Sequence, residues 1–511
     1  MRRKHTGSRL ILGCAVLFAT AALFCAQAPY GAGMHGTAAY PPALSTNGPW
    51  MGNYNHALTV HGALPFTYGA FAVSFAPDVS SGPLLVDLGA ALYAFVPATT
   101  DAFGSTALPL GLGFPAVPSF AGLPFFAQFG CVDPGSTLGI ALSPGLACQL
   151  AMPPLVFYGT SVAGANDPWW ILDPYSATYA PVAGGTSGMN NVKSAAWVNG
   201  GRELWVACLF APFLQWLDMT TSPPTVHVVP TATASVQAVH LDRTRGILYT
   251  LSETSDSVAA YDVTAGSASY GNQLGLNTPA GVAMYMSSAI GKGGTRIWQA
   301  TALQPYLAEF DTNPASATWL TNINIINVPY GPNMATVQSL SVTDQGSGQL
   351  LCTIQGFGQV QGEVARRNLA TGQWIDHNPT APGIQNIGPS SSPAASPGIA
   401  PARVDIASDG RNAAVGSVGG GTISTTPGSL SVVQLDPASP SFWTMTQLPL
   451  GALANNCWTA SFLPDNQTIA FASWAPSRAL VVDLAGTIHQ NRTLSGATTV
   501  TLTNIYTCVA R

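Results

Sequence analysis

Charge is what this sequence has least of. Only 8% of its 511 residues are Asp, Glu, Lys or Arg, against about 25% in average soluble proteins. Glutamate occurs only at Glu203, Glu253, Glu309 and Glu363. The formal net charge is −5, and no Lys/Arg run follows the N-terminus. That excludes an electrostatic nucleic-acid surface. No later stretch approaches about 18 uninterrupted apolar residues, so no membrane span is expected beyond the first segment. The motifs that announce chemistry are also missing. There is no CxxC or His/Cys spacing for zinc, no HExxH and no Gly-x-Ser-x-Gly. The glycines of GSVGGGTISTTPGS lack the Lys and the following helix of a phosphate loop, and read as a strand connection. No cofactor and no metal are expected. Scarce charge does not mean disorder here, because 47% of residues are hydrophobic and fall in short patterned runs.

Those runs begin after a targeting segment. Arg2, Arg3, Lys4 and Arg9 make a positive start, Leu10 to Ala26 is apolar, and Ala26-Gln27-Ala28 fits a small-x-small cleavage site. Residues 1–28 therefore read as a signal peptide, with an uncleaved anchor as the rival reading. Pro29 just past the site disfavours cleavage. An exported protein is expected: periplasmic, surface-bound or extracellular. Export permits disulfides. Cys131, Cys148, Cys208, Cys352, Cys457 and Cys508 allow fifteen complete pairings. Cys131 with Cys148 is the favoured pair, because both flank a loop in one small domain. Cys208 and Cys352 sit mid-strand and read as small buried hydrophobes.

Residues 29–56 form a Gly/Pro-rich lead. From 57 to 150, short apolar runs recur at about ten-residue spacing with Gly/Pro turns, which predicts a small β-sandwich. His56 and His61, near its start, read as packed or surface residues and not as ligands. This texture resembles a low-charge β-module of large bacterial secreted proteins, a resemblance that implies no activity.

From Leu155 onward the chain repeats. Third-strand endings read WWILDPYSA, FLQWLDMTTS, VAAYDVTAG, LAEFDTNPAS, EVARRNLATG, SVVQLDPASP and ALVVDLAG. They end at Asp173, Asp218, Asp262, Asp311, Asn368, Asp436 and Asp483, about 44 to 49 residues apart except around Asn368 and Asp436. Four short strands per unit at this period is a propeller pattern. Each Asp carboxylate can accept N–H groups two residues on and pin the turn, a structural role. The expected fold is all-β: a seven-bladed β-propeller over 155–511 behind a small N-terminal β-sandwich. The first blade lacks its innermost strand, and TTVTLTNIYTCV (498–509) is left over to supply it. In that arrangement Cys457 and Cys508 lie at opposite ends of neighbouring strands, which disfavours their disulfide.

The Asp-Pro/Thr/Val-x-small ending after a β-branched strand resembles YVTN-type repeats. The wider lactonase-like and quinoprotein-like propellers look similar. Lactonase-type propellers set acids, Asn, His and Arg around the channel mouth. That resemblance implies mouth loops here carrying Asn166, Asp167, Asn190, Asn191, Glu253, Asp256, Asn333, Asn455, Asn456 and Arg478. They contain no spaced acid cluster, so no catalytic set carries over.

Alternation puts Arg403 and Asp405 on one face of a first strand, with His240 and Lys193 in similar positions. The candidate ligand-binding set is Lys193, His240, Glu253, Arg403, Asp405, Asn456 and Arg478. One reading is a polar channel holding a ligand. The other is a water-filled channel with internal ion pairs. The favoured function is a secreted, non-enzymatic binding or scaffold protein. It would meet a protein or glycan partner through a propeller face, using loop aromatics such as Trp169, Trp474 and Tyr330. The alternative is a lactonase-like hydrolase or quinoprotein-like oxidoreductase at the channel mouth.

Overall fold

The structure is a computed structural model. It describes residues 27–510, leaving out 52–55, 79–82, 113–119, 162–166, 177–180, 280–283, 357–360, 389–399, 420–427, 474–477, 495–503 and some shorter stretches. The targeting segment up to Ala26, Asn166, Asn190, Asn333 and Trp474 lie outside the described residues.

The first domain packs two antiparallel sheets. Its strands are β1 (Gln27–Tyr30), β2 (Ala43–Thr46), β3 (Ala57–His61), β4 (Tyr68–Ser74), β5 (Tyr93–Thr99), β6 (Thr106–Pro109), β7 (Pro124–Val132), β8 (Ile140–Leu142) and β9 (Gly145–Gln149). One sheet runs β1-β9-β7-β4-β5 with β8 on β7, and the other runs β2-β3-β6. Leu58, Val60, Phe71, Phe129 and Leu146 fill the space between them, as alternating strand faces require. The stretch read as a lead is not one, since it contributes β1 to the large sheet and β2 to the small one. Gly and Pro there punctuate two strands that are too short to show alternation. β1 begins at Gln27, paired with Cys148, inside the expected cleavage motif.

The favoured disulfide is corrected by register. Cys148 stands opposite Phe125, whereas Cys131 stands opposite Gly69 and Ala141. Six residues of strand separate the two positions, roughly 20 Å at the usual rise, and a disulfide needs Cα atoms within about 7 Å. Both cysteines are buried and outside any disulfide, as are Cys208, Cys352 and Cys457. The Cys508 side chain lies outside the described residues.

The rest of the chain is a β-propeller. Its first sheet is β10 (Val156–Ser161), β11 (Trp169–Leu172) and β12 (Pro181–Gly185), with the strand Asn504–Ala510 added to the free edge of β10. The register runs from Val156 opposite Ala510 to Ser161 opposite Asn504. Among the described residues, six further sheets follow in chain order. Their innermost strands are Val192–Val198, Val236–Asp242, Met284–Gly291, Met334–Thr343, Pro401–Ile406 and Cys457–Phe462. Together with Asn504–Ala510, these seven strands touch one another in cyclic sequence and close a ring. Blades are numbered here from the β10 sheet.

Burial explains the strand chemistry. Second and third strands such as Ile247–Ser252 and Ser257–Asp262 are buried throughout and read as unbroken apolar or small runs. Fourth strands such as Thr225–Pro230 alternate exposed and half-buried residues. The turns after the third strands are pinned as their sequences suggest. Asp173, Asp218, Asp262, Asp311, Asn368 and Asp483 each accept the N–H two residues on, at 2.8 to 3.0 Å. Asp436 instead takes the Arg411 guanidinium, at 2.8 Å from Nε and 2.5 Å from Nη2.

The sandwich sits against the propeller face that carries these turns. Asn466 donates to the Thr46 carbonyl at 3.3 Å, His61 Nε2 lies 3.3 Å from Arg411, and Trp50 stacks on Tyr175.

Two outcomes are expected. Ending the chain at Gly496 removes the inner strand of the first blade and exposes two edges, so the shortened protein should melt lower and aggregate. Full retention of thermal stability would contradict the closure. Unfolding without reductant should leave Cys131 and Cys148 both open to alkylation, and reductant should leave the melting temperature unchanged.

Candidate functional site

An innermost strand pairs on one side only, so its other edge of N–H groups faces the axis and needs acceptors. The neighbouring blade supplies them. Ser194 Oγ accepts from Val239 N–H at 3.3 Å, Ser287 from Leu340 at 2.9 Å, and Ser339 from Val404 at 3.0 Å. One step further along, Ser341 accepts from Ile406 at 3.0 Å and Asp405 from Phe462 at 2.8 Å. Every one of these bonds runs from a blade's side chain to the next blade's backbone. Sequence reading did not single out these serines. The available signal is a small hydroxyl recurring at one strand position in NVKSAAWV, YMSSAIG and VQSLSVT.

The charged candidates belong to the same ring. His240 reaches blade four, with Nε2 2.5 Å from Ser288 Oγ. Burial, then the Arg403 cation across the ring, lower its pKa to about 4. Asp405 is pushed up to about 6 by burial, against the opposing pull of Phe462 N–H, Arg403 and Ser461. All three charged residues keep partial exposure, as groups bordering a channel should. His240 with Ser288 juxtaposes a base and a hydroxyl in the ring. Ser288 is buried at 8% exposure, and this contact joins blades three and four side chain to side chain, where the serines bond backbone.

The mouth candidates separate. Lys193, Glu253 and Asp167 come together: burial lowers the Lys193 pKa, while the two carboxylates raise it. Gln237 donates to Glu253, and Asp167 accepts from Asn191 N–H. Asn456 has φ +52°, and Asn191, Ser235 and Ala400 share this left-handed backbone just before their inner strands. Asn tolerates that conformation better than most residues, which accounts for Asn191 and Asn456 without a ligand. Arg478 is turned away from the mouth, because its Nη1 donates to Asn491 on the outermost strand at 3.0 Å. Trp169, expected in an exposed loop, is 5% exposed within β11. Tyr330 is exposed.

A second surface lies on the sandwich. The outer face of its large sheet holds a groove of about 430 Å³ lined by Tyr68, Ala70, Phe95, Val132, Ile140 and Leu142, with Leu84 and Leu88 at one side. Tyr68 is 76% and Phe95 61% exposed. The amide in the wall, Gln128, is engaged: Oε1 accepts from Leu85 N–H, and Nε2 donates to Ser143 and Pro83 carbonyls.

No known protein family matches the chain, and no curated protein sequence does. Solved structures do resemble it. A provisionally assigned 6-phosphogluconolactonase from Bacteroides uniformis is 12% identical over 67% of this chain and 97% of its own, with a TM-score of 0.48. Its counterpart from Bacteroides fragilis is 11% identical over 67% and 96%, at 0.47. Hydrazine synthase of Kuenenia stuttgartiensis is 14% identical over 57% and 76%, at 0.44. With all three TM-scores below 0.5, these likenesses carry no argument about activity.

The ring predicts opposed pH effects. Asp405 titrates higher folded than unfolded, so its contribution to stability falls as pH rises from about 4 to about 6. His240 titrates lower folded than unfolded, so its contribution is lost as pH falls from about 6.5 to about 4. Relative to the unaltered protein, Asp405→Asn should therefore lose more stability on acidification, and His240→Gln should lose less. Each change should be on the order of 1–3 kcal/mol. Urea melts at pH 4.5 and 7 would show both, and equal slopes in all three proteins would refute the assignment.

Proposed function

We propose that this chain is an exported, non-enzymatic binding protein that holds an apolar segment of a protein partner on its sandwich. The propeller serves as the mount. The observation that carries this reading is the groove between Tyr68, Phe95 and Val132. An apolar, concave wall flanked by exposed aromatic rings is a common form of binding site. Phe66 and Leu138, next in sequence to its strands, are 76% and 62% exposed and extend it. A glycan needs several hydrogen-bonding side chains beside its stacking rings; Gln128 is already committed, and the Tyr68 hydroxyl is the remaining polar group of the wall. An apolar protein segment needs none. The partner surface is thus better supported on the sandwich than on a propeller face.

A photo-reactive phenylalanine analogue at position 95, activated in intact producing cells, should give one discrete protein adduct. Val132→Asp should abolish that adduct without lowering the melting temperature by more than about 1 kcal/mol equivalent. An adduct pattern indifferent to Val132→Asp would overturn the reading. So would lactone turnover by the purified protein, or labelling of Ser288 by an activated phosphonate, either of which would restore the hydrolase alternative.

A further inference from the structure

Arg366 lies on the third strand of blade five, Glu363–Asn368, and is 7% exposed. Its strand alternates. Ala365 belongs to the core shared with blade four, and Val364 to the core shared with blade six. Arg366 therefore faces blade six, and Arg367 faces blade four. Arg367 is provided for: its Nε donates to the Gly372 carbonyl at 3.0 Å, it lies over Trp374, and the Glu309 charge supports it.

Arg366 is not. Its Nε and Nη1 are buried without a hydrogen-bond partner. Phe442 and Trp443 of blade six cover the guanidinium, with ring centres 4.7 Å and 5.2 Å from Cζ. Aromatic faces attract the cation, but they do not replace acceptors for N–H groups that lie in its plane. Two more polar atoms in this cluster share the condition: Trp443 Nε1 and His377 Nδ1 are buried and unpartnered. The His377 ring stands edge-on to Trp443 at 6.2 Å. Burial lowers the Arg366 pKa to about 10, and no carboxylate counteracts it. Asp376, the acid beside His377, is engaged elsewhere: its Oδ1 accepts from the Asn378 and Gln385 N–H groups at 3.0 Å. Residues 378–401, whose Ile387 pairs beside this strand, contain no Asp or Glu.

A buried guanidinium cannot shed its proton as a lysine can, so it requires an anion. We propose that the junction of blades five and six at Arg366 is a binding site for a small oxyanion, a carboxylate or a phosphate or sulfate. Its oxygens take the Arg366 N–H groups, and the Trp443 indole N–H is a further donor. A guanidinium edge matches the paired oxygens of such an ion. The site is independent of the sandwich groove and of the partner read there.

The test is titration of the full chain with acetate, sulfate and phosphate, against chloride at constant ionic strength. Tryptophan fluorescence and thermal melting are followed together. At least one oxyanion should bind saturably and raise the melting temperature, where chloride does not. Which one responds separates the carboxylate source from the phosphate or sulfate source. Arg366→Met, which keeps the apolar stem, should weaken that binding at least about tenfold. Arg367→Met should leave it unchanged. If Arg366→Met does not fold, Trp443→Phe should weaken binding a few-fold in a folded protein. The proposal is overturned if no oxyanion differs from chloride in the unaltered protein up to ~100 mM, a range that covers weak sites. It is equally overturned if the binding survives loss of Arg366.

Discussion

Everything in the propeller depends on how seven half-paired strands share one axis. Each innermost strand has a finished edge toward its own blade and an unfinished edge toward the centre. Ser194, Ser287, Ser339, Ser341 and Asp405 finish those edges by accepting from the next blade's backbone. The same bonds fix how far one blade is turned relative to the next. A hydroxyl is short, so it serves only if the neighbouring strand comes close. Small residues such as Ala195, Ala238 and Ala289 sit beside these contacts and permit that approach. Stability of the ring and its tight spacing are therefore one property.

Scarce charge fits this plan. Two of the protein's ion pairs are placed at turns. Arg245 pairs with Asp242 at 2.6 Å and Arg296 with Asp311 at 2.7 Å. Asp262 and Asp311 additionally gather hydroxyls: Ser267 and Ser269 for the first, Thr318 for the second. Hydrogen bonding to the charged form holds both carboxylates low, although burial alone would raise them. Short polar side chains do the work that ion-pair networks do in more highly charged proteins.

What could be read from sequence follows from how local each interaction is. The Asp at the end of a third strand acts on a backbone group two residues away, so LDP, YDV and FDT announce their turns. Cys131 and Cys148 show the opposite case. They are close in sequence, but the pairing of β7 with β9 slides them apart, and register is set by partners that the local sequence does not name. Asn456 was legible as unusual but not as structural, because only the left-handed backbone explains it. Arg478 was placed at the mouth by the loop it stands in, and a loop's position does not say which way its side chain leaves. The serine contacts sit between these cases. They repeat in sequence but become meaningful only once the strands are known to form a ring.

The arrangement of the first blade has a consequence for timing. Its strand β10 is made early, and the strand that completes it is made only after every other blade has been synthesised. From Ser161 until Asn504 is available, the nascent chain carries one open sheet edge, while each later blade can complete its own sheet as it is made. The closing step thus joins the two most distant parts of the propeller and carries the largest loop-closure entropy of any pairing in it. A protein assembled this way has a slow, concerted last event, and the unclosed state that precedes it is the one most exposed to capture by other chains.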